Sequence, residues 1–201
     1  MKSRSLFLAA ALLGTAAQAQ TSKAPAAPAQ TSKAQTSNTL AAQTAAQAKQ
    51  AAGLPISIQQ DNRFLILSEQ GIVQAFPNPA ARPDVVLVTR DKQVTVALEY
   101  RNTALRPNEL TSLLTQYPPV LRQQLPALQS LNADIIRAGG TQWAQFVMTM
   151  PAAKGGTRRL EQLMTSVNNR PLVVTIDSSA GGYQANETAV RNLVNSIQVL
   201  R

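Results

Sequence analysis

The chain of 201 residues contains no cysteine and no histidine. Without cysteine, the fold has no disulfide bond and no thiolate for catalysis or metal binding. Without histidine, it has no imidazole general base, no histidine-dependent triad and no imidazole ligand for zinc or copper. Carboxylates and lysines are left as the main groups for acid-base chemistry, and we expect no metal and no cofactor.

Apolar runs long enough to cross a membrane are also missing. The run from Leu6 to Leu13 falls far short of the roughly twenty residues that a bilayer requires. It follows Lys2 and Arg4 and precedes Ala17-Gln18-Ala19, which together form a secretory signal with cleavage between Ala19 and Gln20. We therefore predict a periplasmic or secreted protein without a transmembrane anchor after cleavage. Because Gln20 stands where a bacterial lipoprotein has cysteine, no lipid anchor is expected.

Acidic residues are scarce, since the chain has 10 Asp and Glu against 19 Lys and Arg, for a net charge of +9. Five of the basic residues precede Leu54, so the rest of the chain holds 14 basic and all 10 acidic residues. This mild excess, with aromatics at 4%, lacks the clustered basic stripe and stacking aromatics of nucleic-acid-binding proteins. We expect an anionic polymer or a protein of the envelope as partner, and no nucleic acid.

Composition divides the chain into three segments. Residues 1–19 form the signal peptide. Residues 20–53 consist almost entirely of Ala, Gln, Thr, Ser, Lys and Pro, and the sequence QTSKA occurs in them twice, at Gln20 and at Gln30. Such a segment cannot bury enough apolar surface to offset its chain entropy, which predicts a disordered tether. Residues 54–201 are rich in Val, Ile and Leu and are predicted to form a single globular domain.

Apolar periodicity predicts the elements of this domain. Strands are expected at residues 63–67, 71–76, 84–89, 94–100, 133–138, 143–150, 158–167 and 170–177. Asn168-Asn169 joins the last two as a hairpin turn, because asparagine tolerates positive φ. Helices are expected at residues 107–117, ended by Pro118-Pro119, at 120–128 and at 185–196. This pattern predicts an α+β fold with a twisted, mainly antiparallel sheet and helices packed on it.

Lys154, Arg158 and Arg159 form the candidate binding site. They flank Gly155-Gly156 at a predicted hairpin tip, where three positive charges beside flexible backbone suit an anion or an acidic partner. The Gly-Lys-Ser/Thr ending of a phosphate-binding loop is absent. The alternative is a solvated hairpin tip that binds nothing.

Two further features leave alternatives open. Asp177 and Glu187 flank Ala180-Gly181-Gly182-Tyr183, a predicted loop that could line a cleft with the two carboxylates of a glycoside hydrolase. The alternative is a pair of solvated acids. Trp143, the single tryptophan, is predicted to pack in the core, and the alternative is a half-exposed recognition side chain.

Several short segments together resemble the PsbP/DcrB-like superfamily from about Gly71 to the C-terminus. They are Gly71-Ile72-Val73-Gln74-Ala75-Phe76-Pro77, Pro83-Asp84-Val85-Val86, the helix at Leu110, residues 143–150, residues 168–177 and Asn195-Ser196-Ile197. The resemblance implies an α/β/α sandwich and a binding or accessory role, as in photosystem extrinsic subunits, envelope lipoproteins and a Ran-binding branch. This chain differs from the Ran-binding branch in its predicted signal peptide. It also lacks the cysteine of the lipoproteins, and it has no histidine to match the metal ligands of photosystem members. No functional residue carries over.

The leading hypothesis is an exported, non-catalytic binding or accessory protein of the bacterial periplasm or cell envelope. The alternative is a carboxylate-dependent hydrolase of envelope polysaccharide. Two convergent carboxylates in a cleft would favour the alternative.

Overall fold

The computed structural model describes residues 53–59, 61–153 and 155–200. The predicted signal cleavage site at Ala19 and Gln20, nearly all of the predicted tether, and Lys154 lie outside these residues. Nine strands are described: β1 Ile56–Ser57, β2 Phe64–Ile66, β3 Val85–Thr89, β4 Val94–Tyr100, β5 Ser130–Ala138, β6 Thr141–Pro151, β7 Thr157–Val167, β8 Arg170–Ser179 and β9 Gln198–Val199. The α-helices among the described residues are α1 Glu69–Ala75, α2 Leu110–Gln124 and α3 Ala180–Asn195.

Seven of the strands form one antiparallel sheet in the order β2-β3-β4-β8-β7-β6-β5. Strands β1 and β9 form a separate two-stranded sheet. The predicted α+β class with an antiparallel sheet is confirmed. None of the helices in the described part of the chain combines the length and apolarity needed to span a membrane.

The large sheet is covered on both faces, which we name after the longer helix on each. On the α3 face, Trp143, Leu163 and Ile176 pack against Val190 and Leu193 of α3. Because alternate residues of a strand point to opposite faces, the neighbours of these residues form the core of the α2 face. There Phe146, Met148, Met164 and Val173 pack against Leu113, Tyr117 and Leu121 of α2. Helix α1 covers the β3–β4 end of the α2 face.

The hairpin between β7 and β8 is confirmed. Asn168 and Asn169 have φ of 51° and 58°, the left-handed conformation that a two-residue turn requires. Val167 pairs with Arg170, so Asn168 and Asn169 are the two central residues of the turn.

The segment 71–76, predicted as a strand, is helix α1. Ser68 begins this helix, because its hydroxyl accepts a hydrogen bond from the Gly71 amide at 3.2 Å. Ile72 and Phe76 are four residues apart, so one side of the helix buries both of them. The compact apolar run fits either a strand or a helix, and the N-terminal cap decides for the helix.

The predicted break at Pro118-Pro119 is also wrong, because α2 continues through both prolines to Gln124. Each proline lacks the amide hydrogen of a regular helical hydrogen bond. Leu113, Tyr117 and Leu121 nevertheless recur every four residues and are buried in the α2-face core. Burial of this stripe, at roughly 1.5–3 kcal/mol per large apolar side chain, outweighs the lost hydrogen bonds.

The segment Ala180-Gly181-Gly182-Tyr183, predicted as a loop, is the first turn of α3. The Ser179 hydroxyl accepts a hydrogen bond from the Gly182 amide at 3.0 Å and starts the helix. A Cβ atom at position 182 would lie 2.9 Å from the Cβ of Gln93. Glycine is therefore required where this turn packs against the β3–β4 hairpin, despite its low helix propensity.

Candidate functional site

Arg158 and Arg159 do not share a surface. They are consecutive residues of β7, so their side chains lie on opposite faces of the sheet. On the α2 face, the Arg158 guanidinium donates two hydrogen bonds to the Asp177 carboxylate, at 2.7 and 2.8 Å. These bonds raise the pKa of Arg158. Arg158 is thus held in a two-pronged ion pair, while Arg159 occupies a different environment.

Arg159 lies in a small cluster on the α3 face. Its guanidinium donates a hydrogen bond to Glu161 at 2.5 Å and stacks over the ring of Tyr183 at 3.9 Å from the ring centre. Gln145, on the neighbouring strand β6, donates a second hydrogen bond to Glu161 at 2.6 Å. Only 4% of Glu161 is exposed, so its charge is compensated almost entirely by Arg159 and Gln145.

A cavity of about 260 Å³ opens beside this cluster, between α3 and the strands β5 to β7. We name it the polar cleft and define it by Gln145, Glu161, Tyr183 and Arg191, with Arg159 stacked on Tyr183. Its remaining wall consists of two polar residues, Arg137 and Asn195, and of the apolar residues Ile136, Ala138, Ile176, Val190 and Val194. A concave site with an apolar wall and a few fixed polar groups is the usual form of a binding site for a side chain or a small ligand.

The arginine side chains of the polar cleft are able to donate hydrogen bonds to a ligand. Tyr183 and Glu161 hold the Arg159 guanidinium in one orientation, so that it loses little conformational entropy when a ligand binds. Arg191 contributes a second guanidinium, which also forms an exposed ion pair with Glu187 at 2.7 Å on the same helix. Such groups bind carbonyl, carboxylate or other anionic oxygens.

The two predicted carboxylates are not brought together. Asp177 lies on the α2 face in its pair with Arg158, whereas Glu187 lies on α3 in its pair with Arg191. The sheet therefore separates them. Within the described ranges, no group of three or more Asp, Glu, His or Cys side chains could hold a metal ion.

A second polar cluster lies on the α2 face. Burial raises the pKa of the Glu99 carboxyl, and the nearby Arg101 guanidinium, which is hydrogen bonded to it, lowers the pKa in part. Tyr117 lies near this pair, and its hydroxyl donates a hydrogen bond to Gln162 at 3.0 Å. Burial strongly raises the pKa of Tyr117. A carboxyl with a raised pKa suits a general acid, but the salt bridge to Arg101 engages this one.

Sequence reasoning found Arg159 but missed Gln145, Glu161 and Tyr183. The signal that could have found Glu161 is its spacing from Arg159, since residues two apart on a strand lie on one face. Gln145 and Tyr183 come from other elements, and only the assembled fold brings them to this site.

Comparisons with known proteins concern the fold. No protein-family model and no curated protein sequence matches the chain. Among solved structures, LpqN of Mycobacterium tuberculosis, involved in cell envelope biogenesis, is 14% identical, with 74% of this chain and 87% of that chain covered and a TM-score of 0.51. CyanoP, the cyanobacterial PsbP of Synechocystis sp. PCC 6803, is 11% identical, with 72% and 86% covered and a TM-score of 0.49.

The yeast Ran-binding protein Mog1p, from Saccharomyces cerevisiae, is 12% identical, with 73% of this chain and 90% of that chain covered and a TM-score of 0.43. The match to LpqN, with its TM-score of 0.51, indicates a shared architecture and not a shared activity. The likeness agrees with the antiparallel sheet between helices that the structure shows. The chain therefore has an α+β sandwich fold like that of LpqN.

Proposed function

We propose that this protein is exported and acts as a non-catalytic binding or accessory protein of the bacterial periplasm or cell envelope. Its recognition surface is the polar cleft, and its partner is a protein or polymer that presents a carboxylate or another anionic group. The observation that carries this proposal is the Arg159 guanidinium, fixed between Tyr183 and Glu161 next to an open cavity.

The distribution of acidic side chains supports binding over catalysis. Five of the ten acidic residues are engaged in ion pairs with arginine, namely Asp61, Glu99, Glu161, Asp177 and Glu187. A glycoside hydrolase requires one carboxyl as acid and a second as base or nucleophile across the scissile bond. An arginine partner favours the charged form of a carboxylate and so opposes proton donation. Glu99 is the exception, because burial and the nearby Asp84 carboxylate raise its pKa in spite of Arg101. The alternative of a polysaccharide hydrolase thus has weaker support.

The envelope setting is supported by the predicted signal peptide and by the fold of LpqN, which is involved in cell envelope biogenesis. We expect the protein purified from its native periplasm or medium to begin at Gln20, because Ala17-Gln18-Ala19 fits the signal peptidase site. Intact mass spectrometry measures this directly. A mature protein that retains Met1 would contradict both export and the envelope setting.

Arg159 and Arg158 provide a matched test of the recognition surface. They are neighbours on β7, each forms an ion pair, and the Arg159 and Arg158 side chains are 17% and 20% exposed. Arg159 contacts the cleft residues Glu161 and Tyr183, whereas Arg158 lies on the other face. We expect Arg159→Gln to weaken partner binding at least about tenfold, since a charge-assisted hydrogen bond contributes roughly 1.5–3 kcal/mol. Arg158→Gln should bind almost normally.

The measurement is chemical crosslinking and capture of envelope components by the mature protein, with quantification for each variant. Thermal unfolding of both variants is the control, because each substitution leaves a carboxylate without its arginine. Equal binding by Arg159→Gln and the unchanged protein would exclude the polar cleft as the recognition surface. If only Arg158→Gln lost binding of envelope components, the recognition surface would lie on the α2 face.

A further inference from the structure

Strand β5 forms one edge of the seven-stranded sheet and is long for an edge. It has nine residues, from Ser130 to Ala138, whereas β2 at the opposite edge has three. In the described part of the chain, β6 is the only strand that pairs with β5. A long strand with one unpaired side offers a row of backbone donors and acceptors to another strand.

Ile135 shows which backbone groups of β5 point away from β6, toward the unpaired side of the strand. Its amide donates to the Asp134 carboxylate of the same strand at 2.7 Å, so this amide is not used for pairing with β6. Because outward amides alternate along a strand, those of Leu131 and Ala133 share this direction. The strand has no proline, and its register with β6 is continuous from Ser130 to Ala138, so neither proline nor a bulge interrupts the edge. Its charged residues are Asp134 and Arg137, and a partner strand would displace the Asp134 carboxylate from the Ile135 amide.

We propose that the free edge of β5 pairs with β5 of a second copy of this chain, antiparallel and about a twofold axis. An axis perpendicular to the sheet joins like faces, so only residues of the same face can lie opposite each other. The register that suits the side chains places Ala133 opposite Ala133. Asn132 then lies opposite Asp134, and Leu131 opposite Ile135, twice each.

Side-chain chemistry selects this register over its neighbours. On the α3 face, the exposed Asn132 amide meets the exposed Asp134 carboxylate as donor and acceptor. On the α2 face, the half-buried Leu131 and Ile135 extend the apolar core. A shift to the next allowed register on one side places Asp134 opposite Asp134, which is destabilising. A shift to the other side places Asn132 opposite Asn132 and Asp134 opposite Ser130, and it replaces the two contacts between Leu131 and Ile135 by contacts between Leu131 and the smaller Ala133.

The position of α2 is compatible with this arrangement. Helix α2 packs over β5, β6 and β7, and its Tyr117 hydroxyl reaches Gln162 of β7. The helix therefore covers the face of the sheet beside the edge, and the two copies of α2 would lie on the same face of the joined sheet.

Single-cysteine variants of the mature chain, residues 20–201, test the contact without background, since the chain has no cysteine. Ala133→Cys places two thiols opposite each other at the axis, within the Cα distance that a disulfide spans. Arg137→Cys is the control, because its two copies would lie about 27 Å apart. We expect rapid disulfide-linked dimer for Ala133→Cys only, on a non-reducing gel after oxidation. Equal crosslinking of both variants, or none, would overturn the proposal.

Sedimentation equilibrium of variants at Asn132 and Asp134 tests the register. In the dimer, Asn132→Asp places the new carboxylate of each copy opposite Asp134 of the other copy. Because these like charges repel each other, we expect the dimer dissociation constant to rise about tenfold. The exchange Asn132→Asp with Asp134→Asn restores donor and acceptor and should restore dimerisation. Both side chains are exposed, so circular dichroism should show unchanged folding. A monomer at all concentrations, or an exchange variant as weak as Asn132→Asp, would refute this pairing.

Discussion

Replacement of Gly139 by alanine is expected to lower the free energy of unfolding by about 3–4 kcal/mol. Gly139 has φ of +58° in the turn between β5 and β6, and a side chain in this conformation costs about 1–2 kcal/mol. A Cβ atom there would also overlap the Ile197 carbonyl oxygen and lie 3.1 Å from that of Asn195. Displacing this backbone adds a cost like that of an overpacked core, roughly 1–3 kcal/mol.

Gly140 is the matched control, because it is the second residue of the same turn. Its φ is +76°, but nothing lies within 4 Å of a Cβ atom at this position. Gly140→Ala should therefore cost only the backbone term, about 1–2 kcal/mol. Urea unfolding followed by circular dichroism gives both values. Equal losses for the two variants would show that the turn does not pack against the chain after α3.

Trp143→Ala is expected to destabilise the fold by about 3–5 kcal/mol, the usual cost of removing a large buried aromatic side chain. Trp143 is fully buried on the α3 face, and its indole N–H donates to the Ala138 carbonyl at 3.1 Å. The core role predicted for this residue is therefore confirmed, and the half-exposed recognition role is not. Trp143→Phe should cost less, about 1–2 kcal/mol, because it keeps most of the ring volume and loses the hydrogen bond.

Urea unfolding by circular dichroism measures both tryptophan variants, since Trp143→Ala removes the single tryptophan fluorophore. The unchanged protein should show blue-shifted tryptophan emission that moves to longer wavelength on unfolding. A loss below about 1 kcal/mol for Trp143→Ala would contradict a packed site at this position.

Most of the sheet followed from local patterns. Residues 94–100 alternate, and the pair Asn168-Asn169 supplies the left-handed turn, so β4 and the β7–β8 hairpin were predicted almost to the residue. The predictions were wrong where the local sequence fitted two structures equally well, or where packing of the whole fold outweighed the local preference. A short apolar run became α1 because Ser68 caps it, and α2 passed Pro118-Pro119 because its buried stripe outweighs two missing hydrogen bonds.

For the candidate site, sequence analysis grouped Arg158 and Arg159 in one cationic hairpin tip, although the predicted strand 158–167 already places them on opposite faces and Glu161 on the face of Arg159. These relations follow from the two-residue repeat of a strand, which is a local property of the backbone. Only the tertiary structure decided which face holds α3, and thus that Tyr183 stacks on Arg159 and Gln145 meets Glu161. The physical reason is that strand register and helix position depend on burial summed over the whole sheet, which no single segment contains.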